Sequence, residues 1–233
     1  TGVPFEVTSL EFILGGTTYI PTAWIPYGGF DWQHLSGTDI GLVKFSENLA
    51  TAAGVTPAKR YTGTEEVGKK GISAGYGATG TGLTGADFTV SIDDLVKRAG
   101  ENRIDTLLGD FVPGASDNVL WSDFDNPNET SDSSLGTSTP ENLEYQISKG
   151  DSGGGLFIEI GGENLLAGVQ SFRILRGLYP PNSDTYGDIS AHTRVCAFND
   201  WIDATIPEPA SIVVWSLVVG LCMAVGWRRR SGA

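Results

Sequence analysis

Two pairs of glycines separate short β-rich runs, and this pattern restricts the chain to a fold built from antiparallel strands. Gly15-Gly16 interrupts an apolar and threonine-rich stretch over 11–20, and Gly161-Gly162 interrupts an apolar stretch over 156–169. A two-residue hairpin turn needs positive φ angles, which glycine adopts readily, so both sites predict hairpins. The chain has 32 glycines and only 18% charged residues, which also favours an all-β fold over a helical one.

Three further segments have recognisable patterns. Residues 39–45 predict a strand that is buried on both faces near its middle. Residues 74–77 predict a strand whose glycines allow another part of the chain to approach closely. Helical spacing of apolar residues predicts a short helix near 195–202. Its apolar face would comprise Val195, Phe198, Trp201 and Ile202.

The stretch from about Asp93 to Glu144 is polar, and we expect a long surface insertion with little regular structure. Acidic, amide and hydroxyl residues cluster between Asp123 and Ser134. Such oxygen ligands suit Ca²⁺, but Pro127 breaks the spacing of an EF-hand-like loop, so a solvated loop is the favoured interpretation.

Charge and cysteine content exclude several classes of protein. The net charge of −13 argues against nucleic acid as a partner, because phosphate backbones are bound by basic patches. Cys196 and Cys222 are the two cysteines, and Cys222 lies in an apolar run, so we expect no disulfide between them. No zinc-binding spacing is present. We therefore expect neither a cofactor nor a metal.

The C-terminal residues form a separate module. An uncharged apolar run, Ala210 to Trp227, is followed by Arg228-Arg229-Arg230. The run approaches the length of about 20 residues that spans a bilayer, and the arginines would stay cytoplasmic. A buried core helix is the alternative, which the preceding Pro207-Glu208-Pro209 disfavours.

This tail resembles the PEP-CTERM sorting signal of Gram-negative bacteria, which implies processing by a membrane exosortase. We therefore expect an exported protein anchored at the cell surface or membrane, with its main domain outside the cytoplasm. The domain would cover 1–206 and the tail 207–233, with a single transmembrane helix over 210–227.

The run from Lys149 to Gly155 carries the chemistry of the chain. A serine nucleophile needs a turn that exposes its Oγ and directs backbone N–H groups at one point, and glycines permit that conformation. Ser152 stands among Gly150, Gly153 and Gly154. A glycine-rich turn without chemistry is the alternative.

Other landmarks follow a familiar order along the chain. They are 38–43, 75–77, 168–172, 191–195 and 200–202. Together with the serine turn, this series resembles the chymotrypsin/trypsin family of serine endopeptidases in order and spacing, from about residue 5 to residue 206. The resemblance implies an all-β fold of two perpendicular six-stranded barrels, here with an incomplete first barrel, a cleft between the barrels and a short C-terminal helix.

The resemblance also implies residue roles. Ser152 would be the nucleophile, with the N–H groups of Gly150 and Ser152 as the oxyanion hole. Asp39 would orient the histidine base. Asp151 matches the position that stabilises the cleft.

Substrate-binding roles follow from the same resemblance. Ser171-Phe172-Arg173 would pair with the substrate backbone, Gln146 would form the floor of the specificity pocket, and Ser190 would line its wall. A neutral floor offers no carboxylate to a basic side chain. Arg173 stands where the family often has glycine and would narrow the pocket.

The histidine base is the main departure from the family pattern. Nothing in 1–38 matches the turn that carries it. Of the two histidines, His34 is too close to Asp39 in sequence, and His192 matches a structural position beside the pocket. We therefore expect the base to lie in sequence before Thr1. The present chain by itself would then be weakly nucleophilic, inactive and poorly stable.

The sequence thus predicts a serine endopeptidase that cleaves polypeptides through an acyl-enzyme on Ser152. A protease-like binding module without catalysis is the alternative, and the lack of a matching histidine supports it. Retention of both Asp39 and the turn around Ser152 speaks against it. A structural surface-layer component would predict internal repeats, and the sequence shows none.

Overall fold

The computed structural model describes residues 10–28, 36–87, 96–178 and 184–206. The chain divides into two compact units, Thr1–Ala197 and Phe198–Ala233. The strands are β1 (Phe12–Leu14), β2 (Thr17–Tyr19), β3 (Ala23–Pro26), β4 (Gly41–Lys44), β5 (Lys70–Gly75), β6 (Thr79–Thr81), β7 (Gly85–Asp87), β8 (Arg98–Arg103), β9 (Thr106–Leu107), β10 (Val119–Asp123), β11 (Gly155–Ile160), β12 (Glu163–Ile174) and β13 (Ile189–Arg194). The helices are α1 (Leu49–Ala53), α2 (Leu108–Phe111) and α3 (Asn199–Thr205), with 3-10 turns at Thr130–Asp132 and Val195–Phe198.

One large antiparallel sheet dominates the first unit. Its seven strands lie in the order β8-β5-β11-β12-β13-β10-β9. The two outermost strands, β8 and β9, follow one another in sequence with two residues between them. β8 pairs with β5 at one edge of the sheet, and β9 pairs with β10 at the other edge. Within the link between them, Ile104 N–H donates to Lys69 O and Asp105 N–H donates to Trp121 O. The sheet therefore curves until its two edges meet, which agrees with the barrel that the resemblance predicts.

Two apolar clusters form the core of this sheet. One cluster comprises Tyr61, Ile104, Leu120, Leu156, Ile158 and Ala167. The other comprises Leu108, Val119, Trp121, Leu135, Ile189 and Ala191. Each cluster joins residues from distant parts of the sequence, so the core forms only when the whole sheet is assembled.

The predicted hairpins are confirmed. β1 pairs with β2 around Gly15 and Gly16, whose φ angles are 60° and 80°. β11 pairs with β12 around Gly161 and Gly162, whose φ angles are 62° and 84°. Both turns use the left-handed conformation that favours glycine.

Of the two predicted barrels, one corresponds to the seven-stranded sheet. The described residues form no second sheet of comparable size. Between residues 10 and 53 the described chain forms two separate two-stranded ribbons, β1-β2 and β3-β4. The prediction that 39–45 is a strand buried on both faces is wrong. β4 is mostly exposed, with Val43 at 41% exposure, and β3 is its one strand neighbour among the described residues.

The prediction that 93–144 has little regular structure is also wrong. The described part of this stretch contains β8, β9 and β10, and β10 is buried throughout. Some of its polar residues are not solvated either, since Asp123, Asp125 and Asn126 are buried, whereas 127–131 are exposed as expected. Polar side chains mask the strand signal here because their partners come from distant segments rather than from water.

The predicted C-terminal helix is confirmed. The 3-10 turn Val195–Phe198 leads directly into α3, and Val195, Phe198 and Ile202 are buried. Cys196 is a free cysteine, and Cys222 lies outside the described residues. The tail over 207–233 lies outside the described residues. Within the described parts of the chain, no helix is long and apolar enough to cross a membrane.

Candidate active site

The turn around Ser152 joins the segment after Tyr145 to strand β11. Gly150 and Gly153 have φ angles of 100° and 85°, a conformation that disfavours side chains. Within the turn, Asp151 N–H donates to Ser148 O over 3.1 Å. Ser152 is exposed at the apex. The glycines therefore permit a tight turn that presents the Ser152 hydroxyl to solvent.

Two backbone donors of this turn are left available. The N–H groups of Gly153 and Gly154 are used, donating to Gln170 O and Asp151 O over 2.9 Å each. The N–H groups of Gly150 and Ser152 have no acceptor among the residues that the structure describes. Available N–H groups beside an exposed serine are the kind of donor that an oxyanion requires.

The Asp151 carboxylate ties this turn to the end of β5. Its Oδ1 accepts from Gly77 N–H over 2.8 Å, and its Oδ2 accepts from Ser148 N–H over 2.9 Å. A Cβ at Gly75 or Gly77 would collide with this carboxylate. The close approach that the sequence predicts at 74–77 is thus confirmed, and its partner is the residue beside Ser152.

Asp39 is held by side chains of the large sheet. Ser171 Oγ donates to Asp39 Oδ2 over 2.6 Å, and Thr193 Oγ1 donates to the Asp39 backbone carbonyl over 2.8 Å. Ser171 lies at a β-bulge in β12, between Gln170 and Phe172. Bulges change the direction of a side chain, and here the bulged residue contacts the carboxylate.

Strand β12 supports both Asp39 and the turn around Ser152. Gln170 exchanges backbone hydrogen bonds with that turn, accepting from Gly153 N–H and donating to Gly154 O. The next residue, Ser171, binds Asp39. The structure therefore brings the two segments to adjacent residues of one strand.

His192 lies in the interior, beneath this surface. It is 1% exposed, and its Nε2 lies 3.3 Å from Tyr145 Oη. Burial lowers the pKa of His192 to about 4, so the ring is neutral at pH 7. This position fits a structural role, as the sequence predicts. His34 lies outside the described residues.

The predicted substrate-binding residues already have polar partners within the protein. Gln146 and Ser190 are hydrogen-bonded to each other, and Arg173 is paired with Asp184. Ser190 Oγ donates to Gln146 Oε1 over 2.8 Å and accepts from Ile147 N–H over 3.1 Å. Arg173 forms an ion pair with Asp184, in which Nη1 donates to Oδ2 over 3.1 Å and Nε lies 2.9 Å from Oδ1. Phe172 is half-buried in β12.

Sequence reasoning missed Asp184 and Ser148. Ser148 Oγ donates to Asp184 Oδ2 over 2.6 Å, so the serine connects this aspartate to the segment before Ser152. Asp184 has a φ of 58°, the one positive φ of a non-glycine residue in the described chain. No sequence pattern predicts this contact. The one available signal was that Ser148 lies four residues before Ser152.

Four buried or half-buried carboxylates lie together beside the segment that leads to Ser152. Asp105 Oδ2 accepts from Asp123 N–H over 3.2 Å, and Glu144 Oε1 accepts from Asp125 N–H over 3.4 Å. Burial, followed by the charge of Asp123, raises the pKa of Asp105 to about 8 and that of Asp125 to about 7. Burial above all raises the pKa of Glu144 to about 8.

Asp105, Asp125 and Glu144 are therefore more easily protonated in the folded protein than in the unfolded chain. Hydrogen bonds from Ser133 Oγ, Ser134 N–H and Leu135 N–H satisfy Asp123 Oδ2. Within the described parts of the chain, no group of three or more acidic, histidine or cysteine residues is arranged to hold a metal ion.

Comparisons with known proteins agree with this arrangement. The Trypsin family model matches residues 15–202. The fold is similar to that of neuropsin, a serine protease expressed in the limbic system of mouse brain, with a TM-score of 0.54 and 17% identity. That similarity covers 81% of this chain and 72% of neuropsin. No curated protein matches the chain in sequence. The chain belongs to the Trypsin family, the family of trypsin-like serine proteases.

Proposed function

We propose that the protein is a serine endopeptidase that hydrolyses peptide bonds through an acyl-enzyme on Ser152. The observation that carries this proposal is the shared support of Asp39 and the Ser152 turn by Gln170 and Ser171 of β12. A histidine base that contacts both groups would have to lie between these two supports. Family membership supports the same reading, since it implies a polypeptide substrate.

In this mechanism Ser152 Oγ attacks the substrate carbonyl carbon while a histidine removes its proton. The N–H groups of Gly150 and Ser152 stabilise the oxyanion, and the histidine then protonates the leaving amine. Asp39 orients the imidazole and stabilises its charged form. Water then hydrolyses the acyl-enzyme by the same steps in reverse.

The base is proposed to come from sequence encoded before Thr1. His192 is fully enclosed and contacts Tyr145, so it offers no route to the Ser152 hydroxyl. A chain without its base keeps the small residual rate that the oxyanion donors provide. The coding sequence upstream of Thr1 tests this point directly, because it either encodes a histidine in a matching turn or does not.

Fluorophosphonate labelling tests the proposal as a whole. The full-length protein should be labelled covalently, and Ser152→Ala should abolish labelling. Ser131→Ala removes another exposed serine and should leave labelling unchanged, which makes it the matched control. Labelling that survives Ser152→Ala, or no labelling of the full-length protein, would instead favour a binding module that has lost catalysis.

The C-terminal segment is proposed to direct the protein to the cell surface or membrane. The uncharged run over 210–227 and the three arginines after it support this, as does the resemblance to an exosortase-processed signal. Deletion of 207–233 should move the protein from the membrane fraction to the soluble exported fraction. An unchanged distribution of the deleted protein would contradict the proposed anchor.

A further inference from the structure

Two sets of polar side-chain contacts, here called polar links, lie beside the Ser152 turn. One link runs from Ser148 through Asp184 to Arg173, with hydrogen bonds of 2.6 Å and 3.1 Å to Asp184 Oδ2. The other runs from Gln146 to Ser190 over 2.8 Å. Both links connect the segment that precedes Ser152 with residues on or next to strands β12 and β13.

The two links lie next to each other. Arg173 on β12 and Ser190 on β13 are partners in the antiparallel register. Residues directly opposite in such a pair project from the same face of the sheet, so their side chains are neighbours. On the face of β12 and β13 just beyond Ser171, Arg173 and Ser190 are therefore neighbours, and each is already bonded to a residue of another segment, Asp184 and Gln146 respectively.

The Arg173 to Asp184 link is also built into the fold. The side chains of Arg173 and Asp184 are 23% and 4% exposed. Asp184 adopts a left-handed backbone conformation, which persists where surrounding contacts hold it. Ser148 joins Asp184 to Asp151, because its Oγ donates to one carboxylate and its N–H to the other. Moving the ion pair would thus disturb the support of the Ser152 turn.

A substrate bound for attack by Ser152 must place its carbonyl by the N–H groups of Gly150 and Ser152. The family resemblance assigns the side chain on the amino side of that carbonyl to a pocket formed by Gln146, Ser190 and Arg173. This is the space that the two links cross. One cavity of about 120 Å³ is lined by Gln146, Asp151 and Gln170, and another of about 190 Å³ is lined by Gln146, Ser148 and Asp184.

We propose that the protein cleaves after small uncharged residues, because the Arg173–Asp184 ion pair and the Gln146–Ser190 hydrogen bond fill the space that a longer side chain would need. This inference rests on the proposed peptidase function. The ion pair leaves no net charge to attract a basic or an acidic side chain. A long side chain would have to break the pair and leave two charges unpaired, which is costly in a mostly buried site.

A library of peptides that differ only in the residue before the cleaved bond tests this with the full-length protein. We expect kcat/KM for Gly, Ala or Ser at that position to exceed the values for Lys, Phe and Glu by at least about tenfold, the scale of one or two missing contacts. A preference of the unaltered protein for Lys, Arg, Phe, Asp or Glu would overturn the inference and leave the peptidase function standing. If Ser152→Ala cleaves the library as well as the parent does, the peptidase function itself fails.

A double variant tests the cause. Arg173→Gly combined with Asp184→Gly removes both charges together, and glycine suits the left-handed backbone at 184. We expect kcat/KM for Phe to rise at least about tenfold while that for Ala changes less. The control, Lys59→Ala with Glu163→Ala, removes an exposed ion pair at the other end of β12 and should leave the profile unchanged. A double variant that folds and keeps the parent profile would overturn the inference, and the profile of the unaltered protein decides the matter if the variant does not fold.

Discussion

The two ribbons between residues 12 and 44, beside Asp39, and the sheet that supports Ser152 are stabilised in different ways. In the described residues between 10 and 53, Tyr19 is the one large apolar side chain that is buried, whereas Ile13 and Ile20 are 64% and 63% exposed. The sheet contains two buried apolar clusters. Asp39 nevertheless occupies a defined position, because Ser171 and Thr193 of the sheet bind it. Its placement is thus a property of the sheet rather than of the ribbons beside it.

The largest effect is expected at the buried ion pair of the sheet region. Arg194 contacts Glu66 through two bonds of 3.0 Å and 2.7 Å, and Glu66 is fully buried. Burial opposes the charged form of Glu66, but hydrogen bonds from Arg194 and Cys196 hold its pKa below the ordinary value. Glu66→Ala leaves Arg194 without its partner and should lower the free energy of unfolding by about 3–5 kcal/mol, measured by urea denaturation.

The exposed pair between Lys59 and Glu163 provides the control for this measurement. Lys59→Ala should change the free energy of unfolding by about 0–1 kcal/mol, because exposed ion pairs contribute little. Similar values for Glu66→Ala and Lys59→Ala would show that the buried pair does not anchor the end of β13.

A pair of matched isoleucine substitutions tests the comparison most directly. Ile158 in β11 is fully buried, so Ile158→Ala should lower the free energy of unfolding by about 2–5 kcal/mol. Ile13 in β1 is mostly exposed, so Ile13→Ala should change it by about 0.5 kcal/mol or less. Equal costs at the two positions would mean that the ribbons are packed as firmly as the sheet.

The carboxyl cluster at one end of the sheet should make stability depend on pH. The folded-state pKa values of Asp105, Asp125 and Glu144 are about 8, 7 and 8, well above those of the unfolded chain. Between pH 4 and pH 8 the folded state binds more protons, so stability is highest below pH 4 for these groups and falls as pH rises. Each group that differs by a full proton contributes about 1.4 kcal/mol per pH unit.

Denaturation over this pH range measures the slope, and Asp105→Asn tests its origin. Asparagine mimics the protonated acid and keeps an acceptor for Asp123 N–H. The variant should therefore show a shallower fall in stability between pH 4 and pH 8. Asp110→Asn, which changes an aspartate of helix α2 outside the cluster, should keep the parent slope. An unchanged slope in Asp105→Asn would rule out this cluster as its source.

The smallest effect on stability is expected where the sheet binds Asp39. Ser171→Ala removes one hydrogen bond to the carboxylate and should lower the free energy of unfolding by about 1 kcal/mol. The same change frees the Asp39 side chain, so fluorophosphonate labelling of the full-length protein should slow by more than the stability loss explains. Unaltered labelling would show that Asp39 does not depend on this contact.

Local sequence patterns predicted the parts of the fold that depend on backbone conformation. The glycine pairs at 15–16 and 161–162 marked both hairpins, and the glycines around Ser152 marked an exposed turn. The same reasoning failed for β10, because its end and the residues after it are polar yet buried. Their partners, such as the N–H groups of 134–135 for Asp123, come from other segments that no short window contains.

The candidate site likewise has one part that the sequence predicted and another part that it did not. Ser152 and its glycines could be recognised because a tight turn needs particular residues at neighbouring positions. The contacts of Asp39 with Ser171, and of Asp184 with Arg173 and Ser148, could not be predicted from spacing alone. The sequence by itself thus determined the hairpins and the exposed serine turn, since these depend on local backbone preferences. The order of the landmarks along the chain indicated the family. Only the tertiary structure decided which charged side chains meet, because each such contact joins residues that the closing of the sheet brings together.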